Sequence, residues 1–321
     1  VTSIGASSAN LEVEVVGPPS GSGRLLRRIL RRPVAVVSII VILLIYLSGI
    51  FAPFVAPHGF KETDFRNRYA GPSIEHPFGT DELGRDVLSR VIWSARTTVI
   101  ISVATVFAGG IVIGVTAGLL SGYAGGRTDN LIMRCAEAFS SVPDILLLLI
   151  ISATLTDRVR SGARSVEDWT GIDGIVQSGA PEYVLVFVSL ALFGWVGMAR
   201  IIRSQVLALR EGNYISAAQA MGASTPRILF RHLLPNVSNI IIVSLTLTLG
   251  AVAAAEVGLT FLGIGVHDPT PSYGIMISDY AGGIRQHPNL VLAPAFVVAS
   301  LVLAFNLLGD ALTDVLSPRR R

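Results

Sequence analysis

The sequence predicts an all-α, polytopic membrane protein. Of its 321 residues, 51% are apolar and only 15% charged, where a soluble domain carries about 25% charged residues. Mean hydropathy is +0.63. The apolar residues fall in continuous runs, not in the ten-residue alternating segments of a β-barrel, and helices satisfy their own backbone in lipid. A helix needs about 20 apolar residues to cross the hydrocarbon. Six runs qualify: 33–54, 97–121, 131–155, 183–203, 237–263 and 290–309.

Residues 1–32 form a tail whose first part, 1–23, is rich in Ser, Gly and Pro and reads as disordered. The apolar run after RLLRRILRRP is longer than the ~7–15-residue core of a signal peptide, so 33–54 is read as an uncleaved first span. Arg24, Arg27, Arg28, Arg31 and Arg32 before it place the N-terminus in the cytoplasm. Six spans return the C-terminal tail, 311–321, to the same side, and the 204–236 loop with Arg210, Arg227 and Arg231 falls there too. The 55–94 loop then lies outside, although it holds five basic residues (Lys61, Arg66, Arg68, Arg85, Arg90) beside six acids.

Within that loop, HPFGTDELGRDVLSR predicts a short interfacial helix. Thr80 would cap it, with Asp81 and Glu82 in the first turn, where the helix dipole favours acids. Leu83, Val87, Leu88, Val91 and Ile92 recur at helical spacing on one face. The second span carries Gly110, Gly114, Gly118, Gly122 and Gly126 at four-residue spacing. That stripe lets a neighbouring backbone approach closely, either as ordinary packing or as the face of a moving helix.

Ionisable residues within spans are costly and so become candidates for function. Asp144 in span three and Glu256 in span five either line a path or gate, or bond neighbouring helices, with Arg134 and Arg96 as possible partners. The alanines beside Glu256 favour tight packing. Glu137 reads as solvated or snorkelling, and the lone Cys135 as a packing residue. Segment 156–182 reads as an external insertion. Segment 264–289, with Gly263, Gly265, Pro269, Pro271, Gly274, Gly282 and Gly283 in or beside it, cannot be one simple helix. It reads either as a surface for an external partner or as a re-entrant connector.

The 204–236 loop is the most informative stretch. Asn213 can cap a helix through Met221, and Gly222 suits the left-handed residue that follows. Thr225 and Pro226 resemble a second cap with proline at the first helical position, and Pro235 would end that helix. Ala217, Ala218 and Ala220 keep the first helix thin enough to enter a groove on another protein. A solvated loop rarely carries cap, break, cap and stop in succession, so the stretch reads as a docking wedge.

Several functions are excluded. A Walker A motif needs a lysine before Ser or Thr, and the only lysine, Lys61, sits between Phe60 and Glu62. No HExxH involves the five histidines, and GxSxG is absent. One cysteine cannot build a disulfide or a multi-cysteine metal site. No basic stretch is interleaved with base-stacking aromatics, so nucleic acid is not an expected partner. Neither a membrane enzyme nor a non-transporting scaffold has a motif in its favour.

SAAQAMGA together with RILFRHLLPN resembles the signature of binding-protein-dependent ABC permeases, in the dipeptide/oligopeptide/nickel branch. HPFGTDELGRDVLSR, AEVGLTFLGIG, DPTPSYGIMISDY and GDALTDVLSP are similar to the same branch, and the first of these points to the C-type subunit. The resemblance covers 76–318. It implies a type I ABC importer permease fold, with a core over 95–310, in a bacterial plasma membrane. It implies a homologous B-type permease partner, two cytoplasmic ABC ATPase subunits and an extracytoplasmic substrate-binding protein. ATP and Mg would then bind to the ATPases, and this chain would hold no catalytic residue, cofactor or metal. Ser216, Ala217, Ala218, Ala220, Gly222, Ile228, Leu234 and Pro235 fall on the ATPase-coupling motif. Ser216 stands where the motif leads with glutamate, and Tyr273 where tryptophan is common. The branch implies di- or oligopeptide cargo, with a nickel chelate, an opine or another small solute as the alternative.

Overall fold

The computed structural model describes residues 27–176 and 178–316, without the side chains of Asp144, Ile145, Ser152 and Ala153. The expectations for the tail before Arg27 and for the last residues therefore lie outside the described residues. Among the described residues there is no strand; only an isolated bridge joins Thr80 and Asp86. The main helices are α1 (Pro33–Ile50), α2 (Val87–Ala124), α3 (Gly126–Ser140), α4 (Asp144–Thr170), α5 (Ala180–Arg210), α6 (Asn213–Ala220), α7 (Thr225–Phe261), α8 (Tyr273–Tyr280) and α9 (Pro288–Leu316), with single turns at Ala52–Val55, Phe65–Asn67 and Ala281–Gly283.

Five of these, α1, α2, α5, α7 and α9, are long and apolar enough to cross a membrane. Large apolar side chains such as Val37, Ile40, Leu44, Phe107, Phe296 and Leu303 stay exposed along three of them. Such a surface suits lipid and not water. The expected span 131–155 is not one helix. It breaks at Ser141–Pro143 because proline disfavours the α conformation in the residue before it. α4 then runs on through most of the supposed 156–182 insertion, to a left-handed Gly171. Asp157, Arg158 and Arg160 follow its apolar first turns, so α4 lacks a full-length apolar stretch. Cys135, expected to pack, is exposed on α3.

Two further expectations are corrected. The helix expected within the 55–94 loop starts at Val87, not Thr80, and is not a separate interfacial helix but the first turns of α2. Asp86 is its cap, accepting from the Ser89 N–H at 2.7 Å, while Asp81 folds the preceding turn by accepting from Leu83 and Arg85 N–H. Nor does Pro235 end a helix. Residues Ile228–Leu233 adopt a π-helical turn just before it, and α7 passes through. A proline lacks an N–H and crowds the carbonyl four residues back; widening the turn relieves both.

A second π-helical segment, Val106–Val115, alters the glycine stripe on α2. A Cβ on Gly114 would lie 2.8 Å from Met198 Cβ, on Gly118 2.7 Å from the Ala199 oxygen, and on Gly122 2.7 Å from Val206 Cβ. All three positions press against α5. Gly110 does not: its nearest inter-helix neighbour is Leu245 of α7, and Gly109 instead meets the Ala191 oxygen on α5 at 2.8 Å. The π turn adds a residue, so the stripe steps by five from Gly109 to Gly114 before returning to four. Gly126 lies beyond the end of α2, with open space around it.

The core joins these contacts at both ends of the bundle. Near the α6 end, Val115, Leu119, Met198, Ile202, Val206, Ile215, Ile228 and Leu233 pack together. At the opposite end Val87, Val91, Val257, Tyr273, Met276, Leu290 and Phe305 do so.

Candidate functional site

α6 is built as a wedge with one buried and one bare face. Ile215 and Ala218 are buried against α2, α5 and α7. Ser216, Ala217 and Ala220 are exposed. The helix ends in a Schellman turn: the Gly222 N–H donates to the Gln219 oxygen at 2.9 Å and the Ala223 N–H to the Ala218 oxygen at 3.0 Å. Gly222 has φ +79, and a Cβ placed there would meet nothing within 4 Å. Backbone conformation alone therefore selects glycine at this position.

Side chains anchor the wedge to the bundle. Arg210 Nη1 donates to the Gly122 oxygen at 3.2 Å, and Gln219 Nε2 to Tyr123 Oη at 3.2 Å. Beneath them Arg203 grips Asp129 in a two-point contact, Nε–Oδ1 and Nη2–Oδ2 each 2.5 Å, while the Ser121 hydroxyl donates to the same carboxylate. The Arg203 guanidinium holds the Asp129 carboxyl below the usual range, against the opposing effect of its partial burial.

The sequence-predicted coupling residues divide. Ser216, Ala217, Ala220, Gly222 and Pro235 lie on the exposed side, Leu234 is half-buried, and Ala218 and Ile228 are core. Two apolar side chains not singled out from the sequence stand out beside them, Met221 at 82% and Phe230 at 64% exposed. The signal was available: each sits one residue from a glycine hinge or a buried pair, where the helical pattern turns outward.

The opposite end holds a buried ionic network. Arg85 Nε donates to Asp81 Oδ2 at 2.5 Å, and its Nη1 to Asp268 Oδ2 at 2.9 Å. Arg90, fully buried, places Nη1 3.7 Å from Asp81 Oδ2 and Nη2 3.2 Å from Asp268 Oδ1. Tyr280 Oη donates to Asp81 Oδ2 at 2.9 Å. Two arginines thus balance two aspartates, as buried charges require. Burial opposes the charge on Arg85, but its bonds to Asp81 and Asp268 outweigh that and raise its pKa. Burial also works against a charged Asp268, yet Arg85 and Arg90 hold its carboxyl below the ordinary range.

This network fastens segment 264–289 back onto the bundle. α8 re-enters beside α2, α7 and α9, with Tyr273 and Met276 fully buried. A Cβ on Gly274 would lie 2.0 Å from Thr260 Oγ1 and 2.3 Å from the Val257 oxygen. Of the two intramembrane acids weighed above, Glu256 is fully buried between α7 and α2, where Oε2 accepts from Thr98 Oγ1 at 2.8 Å. It is not paired with Arg96, whose guanidinium lies 5.4 Å from the Trp93 ring centroid. Asp144 is the first residue of α4, and its side chain lies outside the described residues.

Comparison with known proteins decides what this bundle belongs to. Residues 110–321 match the family model described as "Binding-protein-dependent transport system inner membrane component", and residues 22–72 match "N-terminal TM domain of oligopeptide transport permease C". The chain belongs to this permease family.

Among its relatives, the oligopeptide transport system permease protein OppC of Bacillus subtilis is 35% identical over 287 residues, 89% of this chain and 86% of the relative. The dipeptide transport system permease protein DppC of the same organism is 34% identical over 296 residues, 92% and 85% of the two chains. The glutathione transport system permease protein GsiD of Escherichia coli is 34% identical over 294 residues, 91% and 89%. The chain is thus a multi-pass membrane permease. Within this permease, the wedge and the re-entrant α8 sit at the two ends of one helix, α7.

Proposed function

We propose that the chain is the C-type permease subunit of an ATP-driven importer of di- or oligopeptides. It pairs with a homologous B-type permease around a path through the bilayer. Two cytoplasmic ATPase subunits, carrying ATP and Mg, dock on the wedges, one on each permease. An extracytoplasmic binding protein delivers cargo to the α8 end. α4 is taken as a sixth, less apolar crossing that ends beside the start of α5, where Arg160 Nη2 is 2.7 Å from Glu182 Oε1. With the arginines before α1 on the cytoplasmic side, both termini and the wedge then fall in the cytoplasm. The peptide assignment leans on the relatives, which are named for oligopeptide, dipeptide and glutathione transport.

The observation that carries the reading is the two-faced wedge. Ile215 and Ala218 tie α6 to the bundle while Ala217, Ala220, Met221 and Phe230 are left bare. A thin apolar ridge backed by a rigid helix bundle suits a groove on a partner, and its fixed backbone lowers the entropy cost of docking. In alternating access, ATP draws the ATPases together, each wedge follows, and the bundles rock open outward. The wedge must contact the ATPase differently in the two states, or ATP could not shift the balance.

The test is uptake by the complete transporter in proteoliposomes. A binding protein loaded with a labelled short peptide should stimulate ATP hydrolysis and drive accumulation of the label. Stimulation by a nickel chelate or an opine, with none by peptide, would keep the permease and overturn the cargo.

A further inference from the structure

One side-chain cluster, at the end opposite the wedge, has no part in the reading above. His58 follows α1, His76 precedes Pro77, and Asp86 caps α2. Each offers one ligand atom, and these atoms all lie within 4.8 Å of one another. His76 Nδ1 is 3.0 Å from Asp86 Oδ1, and His58 Nδ1 is 3.9 Å from Asp86 Oδ2. The two imidazole rings lie 4.9 Å apart between centroids, tilted by 35°.

The backbone holds all three in place. The His58 N–H donates to Ser89 Oγ at 2.9 Å, and the Ser89 N–H donates in turn to Asp86 Oδ2 at 2.7 Å. His76 sits in a tight turn, its N–H on Ser73 Oγ at 3.0 Å and its oxygen accepting from Ser73 and Gly79 N–H at 2.9 and 2.8 Å. One feature is unexplained by these bonds. His58 Nδ1 is shielded from solvent and has no hydrogen-bond partner. A buried polar atom left without a partner is costly, and a metal ion on its lone pair would remove that cost.

We propose that His58, His76 and Asp86 bind one divalent transition-metal ion of the zinc class. Two imidazole nitrogens and a carboxylate oxygen form a donor set that zinc accepts, with bonds of about 2.0–2.2 Å. At a tetrahedral angle, such bonds put neighbouring ligand atoms about 3.3 Å apart. His76 Nδ1 already lies 3.0 Å from Asp86 Oδ1 and His58 Nδ1 3.9 Å from Asp86 Oδ2, and the ligand atoms span no more than 4.8 Å, so a modest closing of the cluster brings them around one ion. Calcium and magnesium take all-oxygen shells, and two of the three donors here are imidazole nitrogens. Three protein ligands leave a fourth position for water. The ion clips the exit of α1 to the first turn of α2, closing the segment between residues 58 and 86 and fixing the base of the Asp81–Arg90 network. Without an ion, a proton on His76 Nδ1 would donate to Asp86 instead, so metal uptake separates the two arrangements.

The test uses the complete transporter, free of affinity-tag histidines and stripped with chelator, titrated with Co²⁺ alone. One equivalent of Co²⁺ per copy of this chain should bind, with the visible absorption of a four-coordinate ion, and Zn²⁺ should displace it. His58→Gln and His76→Gln should each weaken binding at least tenfold. The His58 variant keeps the backbone bond to Ser89, so its melting temperature without metal should match the wild type. Zn²⁺ should raise the melting temperature of the wild type and not of either variant. Absence of the four-coordinate spectrum, or equal Co²⁺ affinity in the double variant, overturns the proposal.

Discussion

Gly222→Val and Gly222→Asn should part company, although neither side chain would touch anything. A Cβ at this position meets no atom within 4 Å, so crowding is no factor, and φ +79 carries the whole effect. An L-residue in the left-handed region costs about 1–2 kcal/mol. Valine, β-branched, sits at or above the upper end, whereas asparagine visits the region readily. If the valine turn opens, the two Schellman bonds from Gly222 and Ala223 N–H are lost as well, each worth about 0.5–1.5 kcal/mol. If docking requires the closed turn, affinity falls with the fraction of molecules that keep it closed, and that fraction is set by the strain less the energy of the two bonds. Strain of a little over about 2 kcal/mol against about 1 kcal/mol for the two exposed bonds leaves the turn open by about 1–1.4 kcal/mol, roughly a 5–10-fold weaker affinity for the ATPase. The assay is equilibrium binding of the purified ATPase to permease in nanodiscs, alongside peptide-driven ATP hydrolysis. Asparagine should lie within about threefold of wild type. Equal affinity for the valine and asparagine variants would refute the claim that a fixed left-handed turn shapes the docking site.

Met221→Ser should lower ATPase affinity by tenfold or more, as loss of a central apolar anchor does, and leave the permease's melting temperature unchanged because the side chain is 82% exposed. Gly109→Val should destabilise the α2–α5 contact by about 1–3 kcal/mol, read as lower melting temperature in detergent. Gly110→Ala should be milder, since its nearest inter-helix neighbour is the flexible end of Leu245 at 3.3 Å. Arg90→Met removes one partner of a buried network and should cost about 3–5 kcal/mol, read as loss of folded protein at 37 °C. The depressed Asp129 carboxyl supplies stability that is present above the ordinary aspartate pKa of about 3.9 and is lost as pH falls through the lower folded value. Melting curves from pH 6 down to pH 3 should show that acid loss in the wild type and a flatter profile in Asp129→Asn.

The fold class, five of the six expected spans and the helix–glycine–helix shape after Asn213 are legible because each is written in local terms: apolar length, and a glycine after an alanine-rich helix. The errors share one cause. Four-residue counting puts Gly110 on one stripe with Gly114, Gly118 and Gly122, whereas a π turn gives that place to Gly109. Pro235 was read as a stop, and another π turn carried the helix through it. Wide turns have no residue signature of their own, since packing partners choose them. Thr80 was taken for the cap because Asp81 and Glu82 suit a first turn; in fact Asp81 is fully buried, accepting from Arg85 and Tyr280, which lies 199 positions away. Partners so distant in the chain leave no mark on a reading of one segment. The same holds for Ala218, which looked like its neighbours Ala217 and Ala220 but faces inward.

The two ends of the molecule are mechanically one through α7. This helix runs 37 residues without interruption, about 55 Å at 1.5 Å per residue, against a hydrocarbon core of about 30 Å. The helix thus exceeds that thickness, with Phe230 in its first turns and α8 packed on its last. That contact is direct: Gly274 rests on Val257 and Thr260 with no space for a methyl group. A tilt imposed at the wedge therefore cannot be absorbed at the far end by sliding of α8 over α7. It must move α8, and with it the Arg90–Asp268 contact that ties α8's approach to α2. The π turn at Ile228–Leu233 is the one place along α7 where the hydrogen-bond ladder is already loosened, and it lies beside the wedge. If the wedge tilts as proposed, bending there would dissipate the motion, and Leu229 and Leu233, buried within that turn, are the side chains placed to resist it.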